Sequence, residues 1–156
     1  MAKSVSALEA AGLIPVTVVG GDQVATEALG YRFLADRFPG EGPLGGIITA
    51  LSSLESPLIA VLAGDLPDPD PHALSVLVDA ATDHDVVVPI VADQPQWLFS
   101  VWRRTALEHL QAAYDSAIRA PHRAVAGLRI AMPTASGPRF RDIDTRSEFD
   151  HEGRHQ

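Results

Sequence analysis

Apolar residues in this chain come in short runs separated by glycine, proline and charge, and the runs alternate between helical and strand-like spacing. Ala2 to Ala11 has a helical pattern that stops at Gly12. Pro15 to Val19 is a β-branched strand ended by Gly20-Gly21. Gln23 to Leu29 reads as a short helix and Arg32-Phe33-Leu34 as a short strand. A glycine- and proline-rich loop, Phe38 to Gly46, then runs into a helix from about Leu44 to Leu54. Leu58 to Ala63 is apolar on both faces, the mark of a parallel strand covered by helices on either side. Pro71 to Thr82 follows as a helix with proline in its first turn. Asp85 to Ile90 is a second buried strand and Trp97 to Arg103 a strand of alternating character. Arg104 to Ile118 is amphipathic and Ala120 to Gly127 a further helix. Leu128 to Met132 and Arg139 to Asp142 are short strands, and Thr145 caps a turn over Arg146 to Phe149. Strands alternating with helices, without repeats or linkers, predict a mostly parallel sheet in one α/β layer structure. One domain is expected over residues 1–150, with 151–156 as a polar tail.

Composition narrows the function. With 156 residues, 46% of them hydrophobic and 21% charged, the chain can bury a real core. A formal net charge of −8 argues against nucleic acid or anionic lipid as a partner, since both require a positive surface. An anionic substrate then calls for a metal ion or a local group of arginines. There are no cysteines, so thiolate metal sites, disulfides and a cysteine nucleophile are excluded. The six histidines are dispersed and give no zinc pattern. No apolar run approaches the roughly 18 residues of a membrane span, and no signal-peptide pattern opens the chain, so the expected location is cytoplasmic.

The chemistry centres on Asp65. It follows the Leu58 to Ala63 run directly, at the carboxyl end of a strand, which is where open α/β sheets place their ligands. There it is either a metal-binding carboxylate or the opening residue of the turn before Pro67. Asp36 precedes the glycine-rich loop and is either a ligand contact or a surface acid beside Arg37. Gly21, Gly42, Gly45 and Gly46 let backbone approach a ligand, or serve only their turns. Asp142 and Asp144 fall on one side of a strand end, where one or both join Asp65, or one merely caps the Thr145 turn. Arg103 and Arg104 end a strand and, with His122 and Arg123, offer groups suited to phosphate. Trp97 and Trp102 fit either a stacked heterocycle or the core.

Leu34-Ala35-Asp36, Gly42-Pro43-Leu44-Gly45-Gly46-Ile47, Ala63-Gly64-Asp65-Leu66-Pro67, Trp97 to Arg104 and Asp142-Ile143-Asp144-Thr145 occur in that order. Together they resemble the nucleotidyltransferases that attach GMP to molybdopterin, the molybdenum cofactor guanylyltransferases, across almost the whole chain. The resemblance implies a Rossmann-like nucleotidyltransferase fold, a mostly parallel sheet with helices on both faces and a mixed edge. It also implies GTP and molybdopterin as substrates and Mg²⁺ as cofactor. In such a reaction Asp65 is expected to be the catalytic, metal-holding carboxylate, with Asp142 and Asp144 its partners at the metal. The resemblance implies that Asp36 contacts the guanine; Gly21, Gly42 and Gly45 are expected beside the nucleotide, and Arg103 and Arg104, by the chemistry of guanidinium groups alone, at the acceptor.

Two departures from that family stand out. Its members open with a strand and a glycine-rich loop carrying an arginine and a lysine, which cradles the triphosphate; Met1 here starts in what resembles the following helix, and Lys3 is the sole lysine. The late segment carries aspartates where the family commonly has asparagines, as do related transferases with other substrates. An enzyme using CTP or another nucleotide, and a non-catalytic binding module, therefore stay open beside the guanylyltransferase reading. The sequence leaves the oligomeric state open.

Overall fold

The computed structural model describes residues 1–136 and the backbone of 142–144. The elements, in chain order, are α1 (Ala2–Ala10), β1 (Thr17–Val19), α2 (Gln23–Ala28), β2 (Arg32–Leu34), α3 (Pro43–Ser53) and β3 (Leu58–Leu62). They continue with α4 (Pro71–Ala80), β4 (Val86–Val87), β5 (Ile90–Val91), β6 (Gln94–Pro95), β7 (Phe99–Arg103), α5 (Leu107–Asp115), α6 (Pro121–Ala124), β8 (Ile130–Ala131), β9 (Thr134–Ser136) and β10 (Asp142–Asp144). The expected turn over Thr145 to Phe149 and the tail lie outside the described residues, as does the start of the Arg139 to Asp142 strand.

The double-faced apolar pattern of β3 organises the layers. Ile59 and Val61 face one core with Ile47, Ile48 and Leu51 of α3 and Leu110 of α5. Leu58, Ala60 and Leu62 face the other, with Ala7 of α1 and Leu74 and Leu77 of α4. Helices α3 and α5 thus cover one side of the sheet and α1 and α4 the other, the α/β arrangement expected from the alternating pattern. Strand order is β3-β7-β4-β8, with β7 antiparallel to both β3 and β4, and β4 parallel to β8. Three of these strands run the same way, and the reversed one lies inside the sheet rather than at its edge. β1 and β2 form a separate parallel pair.

Two local features depart from the sequence reading. The predicted Asp85 to Ile90 strand is split into β4 and β5 around Pro89, which has no N–H to give a ladder. β5 then folds back on β6 through Ala92 and Asp93, both at positive φ, 49° and 60°, as a tight hairpin turn requires. β5 and β9 continue the sheet beyond the carboxyl ends of β4 and β8, and β10 pairs with β9.

Inside the core, the hydroxyl of Ser100 donates to the Trp97 carbonyl at 2.6 Å and accepts the indole N–H of Trp102 at 2.7 Å. Trp102 is fully buried, with Trp97 packed 6.3 Å from it between ring centres, so both tryptophans serve packing. At the amino end of β4, the Asp85 carboxylate accepts from the Arg129 backbone N–H at 2.9 Å and from its guanidinium at 2.9 and 3.3 Å, clamping β8 to β4.

The Arg129 guanidinium holds the Asp85 carboxyl below its ordinary 3.8. A depressed carboxyl stabilises the fold above its ordinary titration range, and that contribution is lost as pH falls through the lowered value. Asp85→Asn should therefore cost up to about 1 kcal/mol at pH 7, a difference that is smaller at about pH 3, below the ordinary titration range of the group. Urea unfolding of both chains at the two pH values measures it.

Candidate functional site

The carboxyl ends of β1, β2 and β3 meet at one rim. Gly20 and Gly21 leave β1 with φ of 71° and 81°, turning the chain away from the sheet, and the Gly20 N–H donates to the Leu34 carbonyl of β2 at 2.8 Å. Asp36 comes next after β2. Its Oδ1 accepts from the Phe38 N–H and faces the Thr49 hydroxyl, each at 3.0 Å. Thr49 is fully buried in α3. Its oxygen accepts from the Arg37 N–H at 3.1 Å, and its single proton is shared between Asp36 and the Gly45 carbonyl, 2.9 Å away. Both described bonds fall on Oδ1, so the carboxylate is fixed in orientation while Oδ2 is unclaimed among the described residues.

Asp36 lines a cavity of about 1140 Å³ together with Gly20, Gly21, Gly42 and Gly46. Gly42, at φ 83°, is the N-cap of α3, so the amino end of that helix, with its unpaired N–H groups, borders the cavity. Gly45 does not belong to this set, contrary to expectation. It is buried, and a Cβ there would stand 2.7 Å from the Phe38 Cβ, so its glycine serves the close contact of α3 with the loop before it. Gly46, one residue on, faces open space and lines the cavity.

A second group fixes that loop from the far side. The Arg119 guanidinium meets Glu41 at 2.6 Å, donates to the Tyr114 carbonyl at 2.7 Å, and lies 3.7 Å over the Tyr114 ring. Tyr114 in turn packs on Phe38, with ring centres 4.4 Å apart. Arg119, and next the Tyr114 hydroxyl, hold the Glu41 carboxyl below its usual range. The sequence gives little sign of these contacts, because Arg119 is 78 positions from its partner.

Asp65 stands exposed after Ala63-Gly64 at the carboxyl end of β3, and its carboxylate has no partner among the described residues. The turn carrying it is tied to α1: Ser4 donates to the Ala63 carbonyl at 2.7 Å and Lys3 to the Pro67 carbonyl at 2.8 Å. Nearby Asp70 is structural, accepting from His72 N–H at 2.9 Å as the cap of α4. β10, with Asp142 and Asp144, lies at the same end of the sheet as Asp65. Among the described residues no cluster of three or more His, Asp or Glu side chains is placed to hold a metal. No described helix is long and apolar enough to cross a membrane.

Arg103 and Arg104 are elsewhere. Because β7 is antiparallel to β3, Arg103 pairs with Leu58, at the end of β3 opposite Asp65. A five-residue strand spans about 16 Å, so neither arginine belongs to the Asp65 rim. The Arg103 guanidinium is also spent on carbonyls at the end of α4: His84 at 3.0 Å, Ala81 at 2.6 Å, and Thr82. The expected acceptor role is corrected to that of a helix-terminus clamp. His122 and Arg123 are exposed on α6.

The profile of the MobA-like NTP transferase domain matches residues 1–130. A probable molybdenum cofactor guanylyltransferase of Natronomonas pharaonis is 38% identical over 102 residues, 62% of this chain and 50% of that protein. One of the same description from Chloroflexus aggregans is 33% identical over 121 residues, 76% of this chain and 58% of that protein. The chain thus spans about half the length of these curated relatives. The crystal structure of molybdopterin-guanine dinucleotide biosynthesis protein A from Archaeoglobus fulgidus superposes with a TM-score of 0.65 at 24% identity, covering 81% of this chain and 67% of that one, a likeness of fold.

The two adjacent glycines of α3 separate packing from ligand approach. Gly45→Ala, which must displace Phe38, should destabilise by about 1–3 kcal/mol. Gly46→Ala, with open space around its Cβ, should be neutral or gain up to about 1 kcal/mol from helix propensity. Paired urea titrations distinguish the two.

Proposed function

Since the chain belongs to the MobA-like NTP transferase domain family, we propose that it serves the transfer of GMP from GTP to molybdopterin. The observation that carries the choice of base is Asp36, a carboxylate held by the Phe38 N–H and the Thr49 hydroxyl on the cavity wall. Guanine presents an N1–H and an exocyclic amino group side by side, and a fixed carboxylate accepts from both. Adenine presents no such pair and leaves the carboxylate unsatisfied.

In the proposed reaction a terminal phosphate oxygen of molybdopterin attacks the α-phosphorus of GTP. The new P–O bond forms as the bond to pyrophosphate breaks, and pyrophosphate leaves. Asp65 suits a hard divalent cation: it is an exposed oxygen donor at the sheet rim, unengaged among the described residues, and Mg²⁺ keeps much of its water shell and needs only one or two carboxylates. Asp65, with Asp142 or Asp144 from β10, would hold Mg²⁺, which when bound supplies charge stabilisation to the phosphate oxygens. The chain's own part is positioning. Asp36 orients the base, while the turns at Gly21 and Gly42 let backbone approach the nucleotide closely. The reaction is placed in the cytoplasm, without nucleic acid or membrane as partner.

Asp36→Ala should weaken GTP binding at least tenfold, about 1.4 kcal/mol, while changing ATP binding little, as read by calorimetry with Mg²⁺ present. Equal losses for both nucleotides would remove Asp36 as the base reader. Selective retention of CTP by the parent chain would favour a cytidylyl enzyme, and absence of all nucleotide binding a non-catalytic module. Asp65→Ala should abolish metal-dependent transfer and leave the thermal midpoint nearly unchanged, because a rim carboxylate supports little packing. Full transfer activity in that variant would end its assignment.

A further inference from the structure

Helix α5 ends in a backbone conformation that its residue disfavours. Ala117 stands at φ 65°, the left-handed region that glycine ordinarily supplies at a helix end. Its N–H donates to the Tyr114 carbonyl and that of Ile118 to the Ala113 carbonyl, each at 3.0 Å, so the chain doubles back on the last turn of α5. Arg119 is thereby carried over Tyr114, where its guanidinium covers the ring at 3.7 Å and donates to the Tyr114 carbonyl at 2.7 Å. Strain of this kind persists where the surroundings fix it, commonly where a side chain has to be aimed. The side chain aimed here is Arg119, which meets Glu41 at 2.6 Å.

Global stability is not what this pair supplies. The Arg119 and Glu41 side chains are 42% and 48% exposed, and exposed ion pairs contribute little to the folded state. Their effect is local, and two routes carry it to one residue. Glu41 donates its N–H to the Phe38 carbonyl at 3.1 Å, and the buried Tyr114 packs its ring on that of Phe38. Phe38 in turn gives its N–H to Asp36 Oδ1. On its other side Phe38 is pressed so closely against Gly45 that no side chain fits between them. The Tyr114 hydroxyl also feels both acids: burial foremost, and then the Glu41 and Asp36 charges, raise its pKa above the ordinary 10.0 against the opposing charge of Arg119. Arg119, Tyr114 and Glu41 do not themselves line the cavity.

We propose that Arg119 is a positioning residue for base selection: acting through Glu41 and the Tyr114 ring, it holds Phe38, and hence the Asp36 carboxylate, in the orientation that accepts from the paired N–H groups of guanine. The inference rests on the reading of Asp36 as base reader and adds to it a determinant from outside the cavity. A carboxylate whose support on the α5 side is lost keeps its Thr49 contact but gains rotational freedom, so it loses guanine without becoming a better partner for adenine.

The test uses the 156-residue chain and the variants Arg119→Ala, Arg119→Lys, Glu41→Gln and Asp36→Ala. Without nucleotide, amide hydrogen exchange of Phe38 should accelerate about tenfold in Arg119→Ala while that of Val86 and Val87 in the core stays unchanged, which separates a local release from general destabilisation. With Mg²⁺, calorimetry should show GTP binding about fivefold weaker in Arg119→Ala and ATP binding within about twofold of the parent. Glu41→Gln should move both readings the same way. Arg119→Lys, which keeps the charge but not the flat guanidinium on the ring, should fall between parent and alanine variant. Adding Arg119→Ala to Asp36→Ala should cost no further GTP affinity, because the clamp acts only through that acid. Equal losses of GTP and ATP would make Arg119 a phosphate contact and overturn the proposal, as would additive losses with Asp36→Ala. Unchanged Phe38 exchange beside a clear parent preference for GTP would overturn the clamp alone. Accelerated exchange in a chain whose parent form has no preference for GTP would overturn the guanine reading, and with it the selectivity role, so the two failures are distinguishable.

Discussion

A strand with apolar side chains on both faces is stable only where something covers each face, and β3 imposes that condition on the whole chain. Its two rows of side chains recruit α3 and α5 on one side and α1 and α4 on the other. The crossovers that bring those helices in then carry Gly20, Asp36, Gly42 and Asp65 to the carboxyl ends of their strands. The site is a by-product of covering β3. This is the physical content of the rule that open α/β sheets bind ligands at that rim: strand ends are where backbone leaves the ladder and side chains leave the core.

What sequence could reveal was what short-range pattern encodes. The α/β layering, the rim position of Asp65, helix α3 and the proline-opened helix α4 all follow from periodicity and punctuation within about ten residues. Strand direction is not a local property. Trp97 to Arg103 reads equally well as parallel or antiparallel, and because β7 runs backwards its arginines arrive at the wrong end of the sheet. Gly45 and Gly46 are likewise indistinguishable in sequence. Only the position of Phe38 decides that one serves packing and the other borders the cavity. The bond of Thr49 to Asp36 spans 13 positions, and nothing in the helical pattern of α3 marks that threonine as the residue that orients the acid.

The clamps around Asp36 show how an exposed loop is held without a large core. Thr49 fixes the acid from the helix side, while Arg119, Glu41 and the Phe38–Tyr114 ring pair fix the loop from the α5 side. The base-reading role proposed for Asp36 requires this rigidity, since a carboxylate free to rotate turns toward water or toward whichever donor is nearest and so loses discrimination.

Charge sets a second condition on the rim. On a chain of net charge −8 the cations that meet phosphate have to be free, yet many here are committed to internal acceptors. Arg103 holds the end of α4, Arg119 holds Glu41, Arg129 holds Asp85, Arg37 reaches Ser52, and Lys3 is tied to the Pro67 carbonyl. Arg32 borders the cavity but begins β2, at the end of that strand away from Gly20 and Asp36. A triphosphate bound at the rim, as proposed for Asp36 and Asp65, would therefore meet little compensating positive charge from these side chains.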